Sequence, residues 1–575
     1  MEDEVIAYRE NVTKERRPTT AAFSEDNSIS DVIDEVLVTA KRPIKSEREE
    51  AGLPKPTPPS FSIKRMILGY FAGWSIYKQD ALKLEEIDAK KLTHLTYAFA
   101  GIDPATHKLQ LTDPNADLGA SSEKLLEGNF GKFWKLKNEH RHLKTGLAVG
   151  GWTGSAEFSR MCASEKGRKA FLGSLMRAVI DFGLDYVDLD WEYPVEGGLA
   201  ENSVSFNDPD NLLLLVKEWH ELGNKVVKNG LLDFAPPLTM AVPTGSSLLR
   251  NFPLEDMLPY VSHFLLMTYD FGTYDKSGNK IVDHHANFRQ RPAGDTITVQ
   301  DEQDEWEAEI SGDWRGQNSL EGAVKYLTEE REIPKERLVA GVPFYGRQFN
   351  GVRGLGLPVP LLKYLKGDFF APSKSTECQL EISAFSLLGY DACVAVPSGA
   401  LEKDALSSGA TETVSYREVL RRVNTPEMNA FWEPACQSEF AVSNSEPWST
   451  SLSFISYESP RSLYKKSKWI RESGLGGAMI WELSLDLEPL HKHALLPILH
   501  EGLAEHIDAT ENHLNYISSR FENVNGGNTR ENKGLIDLTE DYVVGQASVA
   551  KGGFEGIKSA NFVKRLLNKL KKHHQ

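Results

Sequence analysis

The sequence predicts an α/β fold: a (β/α)8 TIM barrel with an α+β subdomain inserted between strands seven and eight, and extensions at both ends. Three observations predict it. From residue 63 onward, short β-rich runs recur eight times. Most intervals between them carry apolar residues at helical spacing. The last two runs stand more than 130 residues apart, with Gly, Pro, Ser and turn signals between them. The predicted organisation is a polar extension over 1–62, a catalytic barrel over 63–349 and 456–499, an insertion over 350–455, and a C-terminal extension over 500–575.

In chain order, residues 1–62 are polar and charged and end in PKPTPPS (54–60), a stiff linker. An apolar patch at Val32–Val38 is the part of this arm able to dock. The β-rich runs are RMILGYF (65–71), LTHLTYAF (92–99), LKTGLAV (143–149), YVDLDWE (186–192), LTMAVP (238–243), HFLLMTY (263–269), RLVAGVPF (337–344) and GGAMIW (476–481). Helices are expected over 167–183, which ends in a capping glycine, and over 211–230, 320–330 and 462–474. The insertion holds strand-like pieces such as ACVAV. After Leu490 the chain is expected to leave the barrel, with a loop over 520–535 and a solvated basic helix, NFVKRLLNKLKKHHQ, at the end.

Composition excludes several classes. The net charge of −17 argues against a nucleic-acid binder, which would carry a basic footprint. The four cysteines form no CxxC pair and are too sparse for a disulfide scaffold, so no metal or cofactor is expected. No run approaches ~18 apolar residues, so no membrane span is expected. The N-terminus lacks the apolar stretch of a secretory leader. The expectation is synthesis in the cytoplasm, with action outside the cell after leaderless release or within a secreted complex.

The informative stretch is DYVDLDWEYP (185–194), with carboxylates at Asp185, Asp188, Asp190 and Glu192. In a strand, alternate residues share a face, so Asp188, Asp190 and Glu192 point one way and Val187, Leu189 and Trp191 the other. The apolar set suits the surrounding helices, which leaves the acids inside the barrel. Glu192 then lies nearest the C-terminal mouth, where barrel enzymes work. Three acids in a poorly solvated interior raise one another's pKa and share protons. A metal-bound cluster would need companion His ligands, and a calcium loop would need a turn with glycine; neither is present here. Glycoside cleavage fits, with Glu192 as the acid. Asp190 and Asp188 lie beneath it on the same strand, the wrong side for the usual second carboxylate, so the substrate is expected to supply its own nucleophile.

DYVDLDWE resembles the DxxDxDxE signature of glycoside hydrolase family 18, the chitinases and their relatives. LAVGGW (147–152), MTYD (267–270), DHHANF (283–288), GVPFYGR (341–347) and LGGAMIW (475–481) resemble further motifs of that family, over roughly residues 65–490. The resemblance implies an endo-acting chitinase with a retaining, substrate-assisted mechanism. By it, Glu192 protonates the bond between N-acetylglucosamine units, Asp190 orients the acetamido N–H, and Asp188 holds the exchanged proton. Tyr269 would bond the acetyl oxygen, Met267 pack beneath the acetyl group, and Trp481 floor the −1 ring. Asp270 would contact the −1 sugar and the surroundings of the acid. Trp152 would stack at +1, and Tyr193, Tyr345 and Arg347 would line the cleft. Tyr70 and Phe99 would sit near the acid stack, and Tyr274, Trp306 and Trp314 are further aromatic candidates. Asp185, out of phase with the ladder, is assigned a structural role.

One departure stands out. The strand-three serine of the family is Ala148 here, which removes a donor from Asp188. Two rival readings remain: an endo-β-N-acetylglucosaminidase acting on glycoprotein glycans, and a chitin-binding or assembly subunit. The chain is also similar to chitinase subunits of bacterial insecticidal toxin complexes. Chitin and chito-oligosaccharides are the expected partners, with protein partners expected at residues 1–62 or 500–575.

Overall fold

A computed structural model describes residues 64–119, 124–271, 273–274, 280–281, 283–290, 318–352, 412–443, 452–527 and 542–544. The arm 1–62, ACVAV, Cys378, Cys393, Trp306, Trp314 and the terminal basic helix lie outside the described residues. Eight parallel strands close a ring: β1 (Met66–Ala72), β2 (His94–Ile102), β3 (Lys144–Gly150), β4 (Tyr186–Asp190), β5 (Leu238–Val242), β6 (His263–Leu266), β7 (Leu338–Pro343) and β8 (Gly477–Trp481). Each pairs with the next, and β8 returns to β1 through Met66–Gly477 and its neighbours. The fold is the (β/α)8 barrel.

Helices α1 (Gly128–Glu139), α2 (Glu165–Phe182) and α3 (Asp208–Lys228) follow β2, β3 and β4. Further along come α4 (Leu320–Lys325), α5 (Tyr416–Val423), α6 (Pro460–Ser473) and α7 (Leu495–Leu503). Local chemistry fixes their ends. The Ser164 side chain accepts the Gly167 N–H at the start of α2, and Gly183 takes the left-handed conformation at its end, where a Cβ would be strained.

Strand alternation sorts the apolar residues into two cores. Val187, Leu189, Trp191, Leu238, Met240 and Val242 pack outward among the helices. A second cluster, including Met66, Leu68, Tyr70, Ala148, Tyr186, Leu265 and Met479, fills the ring itself. Asp188 and Asp190 share the face of Tyr186, so they project into the ring. A cavity of about 120 Å³ lies at its lower end, bordered by His94, Tyr186, Thr239, His263 and Asp508.

Two boundaries differ from the sequence expectation. A second sheet, antiparallel and five-stranded, begins at Tyr345 rather than near residue 350: Tyr345–Val352 pairs with Leu452–Tyr457 and with Glu412–Ser415. The motif GVPFYGR therefore spans two sheets, with the change at Phe344. Met428–Glu433 and Ser438–Ser443 complete the second sheet as a hairpin.

The chain also does not leave the barrel after Leu490. Helix α7 packs on α6, and residues 504–527 run beneath the ring. There, Asn512 Nδ2 donates to the carbonyls of Lys137 (2.8 Å) and Leu143 (2.8 Å), and Tyr516 Oη donates to Leu184 O (2.7 Å). Asp508 pairs with Lys144 at 2.9 Å, and the His513 ring stacks on Phe234 at 3.6 Å. These ties come from isolated polar and aromatic residues without periodicity, which is why the sequence reads as a departing tail.

Candidate active site

Glu192, just past β4, stands at the C-terminal mouth of the ring with Asp190 and Asp188 below it. Asp188 is fully buried and accepts hydrogen bonds from Tyr70 Oη (2.7 Å) and Thr239 Oγ1 (2.7 Å). Burial pushes its carboxyl up to about 6, with the Thr239 and Tyr70 donors pulling the other way. Asp190 is buried with Oδ1 unpartnered. Burial, then the neighbouring Glu192 and Asp188, hold it well above the carboxylate range. Burial raises Glu192 to about 7; the Tyr193 hydroxyl opposes the rise and the Asp270 charge adds to it. Burial thus raises all three carboxyls, and Asp190 and Glu192 share proton affinity through their mutual charge, a poise that suits a carboxyl at the mouth to proton transfer.

Asp185 points the other way, as its phase predicts. It forms a buried ion pair with Lys137 at 2.9 Å and accepts the backbone N–H groups of Thr145 and His513. It fastens the lower end of β4 to α1 and to the C-terminal segment.

The backbone of Glu192 is clamped by residues the sequence did not single out. Its N–H donates to Ser155 Oγ (2.9 Å), and that hydroxyl donates to Gly151 O (2.9 Å). Asn202 Nδ2 donates to Glu192 O (2.8 Å). The paired glycines of LAVGGW are required by close approach. Both carry positive φ, and a Cβ would fall 2.1 Å from Asp190 O at Gly150 and 2.6 Å from the Phe99 ring at Gly151.

An aromatic wall stands beside the ladder. Trp481 stacks on Phe99 (5.5 Å between centroids) and meets Tyr70 edge-on (5.5 Å). Trp74, absent from the sequence expectation, stacks on Phe99 (6.3 Å) and leans on Trp481 (6.4 Å). Such a wall suits the apolar faces of a sugar ring. Opposite, Tyr269 lies past β6 with its ring edge-on to Tyr345 (6.3 Å) and its hydroxyl 3.7 Å from the Met479 sulfur. Met267, half-buried, follows β6 directly and is held by its N–H to Val242 O (3.0 Å). Trp152 is 41% exposed at the head of the β3 loop.

Asp270 has a left-handed backbone (φ 56°) and is gripped by the Arg347 guanidinium: Nε lies 2.6 Å from Oδ1, and a terminal nitrogen engages Oδ2. His285 Nδ1 is 3.4 Å from Oδ1. Burial favours the neutral acid, yet Arg347 and His285 outweigh it and hold Asp270 well below the usual range. Arg347 therefore acts first on Asp270 rather than lining the cleft alone. Of Tyr274 the backbone alone is described, in a two-residue strand.

Ala148 sits in the ring directly beside Asp188 in the β3–β4 register, so its methyl meets the ladder at the level of the lowest acid. Thr239 was missed although β5 carries the same alternation: it is the polar residue on the inward face of LTMAVP. Ser155 and Asn202 lie on loops and Trp74 in a short 3-10 turn after β1 (Gly73–Tyr77), where no period marks them. Behind the site, His284 Nε2 bonds Glu433 Oε2 (2.8 Å) and Cys436 Sγ donates to Glu433 Oε1 (3.4 Å), all buried. These ligand-type atoms lie within 4.8 Å of one another, and their mutual hydrogen bonds tie the DHHANF segment to the hairpin of the second sheet.

A closed barrel with a proton-sharing acid at its mouth and an aromatic wall for a pyranose is the site of a glycoside hydrolase. Comparison with known proteins gives the family: residues 66–486 match Glycosyl hydrolases family 18, and the chain belongs to it. An endochitinase of Manduca sexta is 28% identical over 451 residues, covering 76% of this chain and 68% of that protein. Chitinase A1 of Niallia circulans is 28% identical over 455 residues, covering 73% of this chain and 56% of that protein. Chitinase ChiA74 from Bacillus thuringiensis superposes with a TM-score of 0.58 at 27% identity, over 77% of this chain and 70% of that one.

Proposed function

We propose that this enzyme is an endo-acting chitinase that cleaves β-1,4 bonds between N-acetylglucosamine units with retention. One observation carries the mechanism: a raised acid stands at the mouth while the carboxylate facing it, Asp270, is committed to Arg347. Neither Asp270 nor the acids stacked beneath Glu192 is available as an attacking group on the far side of the sugar. The substrate's own N-acetyl carbonyl serves instead.

In this scheme Glu192 gives its proton to the leaving oxygen as the acetyl oxygen closes on C1, forming an oxazolinium ion. Asp190 accepts a hydrogen bond from the acetamido N–H and carries negative charge toward it, while Asp188 takes up or returns the shared proton. The Tyr269 hydroxyl bonds the acetyl oxygen. Glu192, now ionised, withdraws a proton from water that opens the ring from the same face. The second sheet reaches the mouth of the ring through Arg347 on Asp270, and the relatives above are named chitinases, which together favour chitin as the substrate. We place its action outside the cell; fractionating a producing culture checks this.

The test is hydrolysis of N-acetylglucosamine oligomers by wild type and Glu192→Gln, with the first anomer observed by NMR. The expected product is the β-anomer, with a loss of roughly 10²- to 10⁴-fold in the variant. Prompt α-anomer contradicts retention, and full activity in Glu192→Gln removes that residue from its role.

A further inference from the structure

His284, Glu433 and Cys436 are 2%, 0% and 1% exposed, and they come from two distant parts of the chain. His284 lies on the segment after β6 that also carries His285, the neighbour of Asp270. Glu433 ends one strand of the hairpin in the second sheet, and Cys436 lies in the turn that leads to Ser438. That turn is tight, with Gln437 in the left-handed conformation (φ 50°). The hairpin is seated on the barrel segment: Arg289 N donates to Cys436 O (3.1 Å), and the Phe440 ring meets that of His284 edge-on (5.8 Å). The two carboxylate oxygens of Glu433 face different groups, Oε2 the imidazole Nε2 (2.8 Å) and Oε1 the thiol (3.4 Å). His284 Nδ1 has no hydrogen-bond partner among the described residues, so the hydrogen of a neutral ring can sit there and leave Nε2 bare.

We propose that these three side chains form a binding site for a zinc ion, which fastens the hairpin of the second sheet to the segment that carries His285. Zinc takes nitrogen, sulfur and oxygen donors at about 2.0–2.3 Å, so its ligand atoms stand roughly 3.2–3.8 Å apart. The donors here lie within 4.8 Å of one another, and side-chain movements of about 1 Å bring them to that spacing. Glu433 can give both oxygens, which completes the tetrahedral set of a closed structural site. Coordination forms a zinc–sulfur bond as the thiol gives its proton to water, and the imidazole hydrogen rests on Nδ1. Thiolate and carboxylate then set two negative charges against the two positive ones of the ion, so the filled pocket is neutral, as deep burial demands. A soft sulfur beside an imidazole selects zinc over magnesium or calcium, which take oxygen ligands. Paired cysteines are the usual sign of such a site; here a glutamate three positions before Cys436 takes the place of one sulfur.

The full chain is stripped with a chelator, dialysed against zinc and then against metal-free buffer. About one zinc per chain is expected to remain by atomic emission. Cobalt(II) in its place should give a near-ultraviolet thiolate-to-cobalt charge-transfer band. C436S keeps a hydroxyl able to donate to Glu433, so its fold should persist by circular dichroism. Its cobalt band should vanish, and its zinc affinity should fall by more than the roughly 10- to 100-fold that outer-shell changes cause. H284A should show the same loss of affinity. Zinc should raise the melting temperature of wild type and leave that of C436S unmoved. A folded wild type that holds neither zinc nor the cobalt band overturns the site and leaves the three groups as a hydrogen-bonded tie. A band that persists in C436S places the metal on another cysteine and overturns it equally. Neither result bears on the chitinase reading, which the hydrolysis assay tests separately.

Discussion

Replacing Thr239 by Val removes one of the two hydroxyls that donate to Asp188, at 2.7 Å, with little change of shape. A hydrogen bond to a charged group contributes about 1.5–3 kcal/mol, and each pKa unit corresponds to about 1.4 kcal/mol. Asp188, now raised to about 6, should therefore titrate roughly one to two units higher. In the proposed scheme Asp188 takes up and returns the shared proton, so the acid limb of the kcat/KM profile should move up with it. Stability follows the same sign. A carboxyl whose folded pKa exceeds the unfolded value favours the fold below the unfolded pKa and loses that contribution as pH rises through the folded one. Thr239→Val should thus cost little near about pH 4 and about 1.5–3 kcal/mol near about pH 8, read from urea melts at both. Thr239→Ser should keep both properties close to wild type. A folded Thr239→Val enzyme whose acid limb stays in place would refute the idea that this hydroxyl sets the lowest proton site.

The reverse change, Ala148→Ser, offers Asp188 a new donor and should lower the acid limb by up to about one unit; an unmoved pH–rate profile shows that the hydroxyl does not reach. Ser155→Ala strands the buried Glu192 N–H, so a loss of about 1–3 kcal/mol in thermal or urea melts is expected, together with a lower kcat. Ending the chain after Leu503 strips Lys137 of Tyr516 and the base of the ring of Asn512. Such a protein should be insoluble or melt well below wild type by circular dichroism, and a soluble truncation with full activity would show that residues 504–527 are dispensable.

Much of the site was legible because one rule, alternation in strands, both buries Val187, Leu189 and Trp191 and aims Asp188, Asp190 and Glu192 inward. The same rule reaches Thr239, a polar residue alone among apolar neighbours, though nothing local links it to an acid 51 positions earlier. Arg347 and Asp270 are both visible as motif residues. Their pairing is not, because a hydrogen bond across 77 positions leaves no trace in either segment. Ser155 and Asn202 hold Glu192 from loops whose conformation depends on contacts, so spacing cannot mark them. The start of the second sheet at Tyr345 was hidden for a related reason: a strand that changes sheets keeps its β-rich composition throughout.

By itself the sequence determined that eight strands alternate with helices and that a row of acids faces inward, since side-chain period and apolar burial are local properties of the chain. Which acid holds a proton, and at what pH, was decided by the tertiary structure alone. Proton affinity depends on burial and on donors brought from elsewhere: Tyr70 lies 118 positions from Asp188, yet closure of the ring puts its hydroxyl 2.7 Å away.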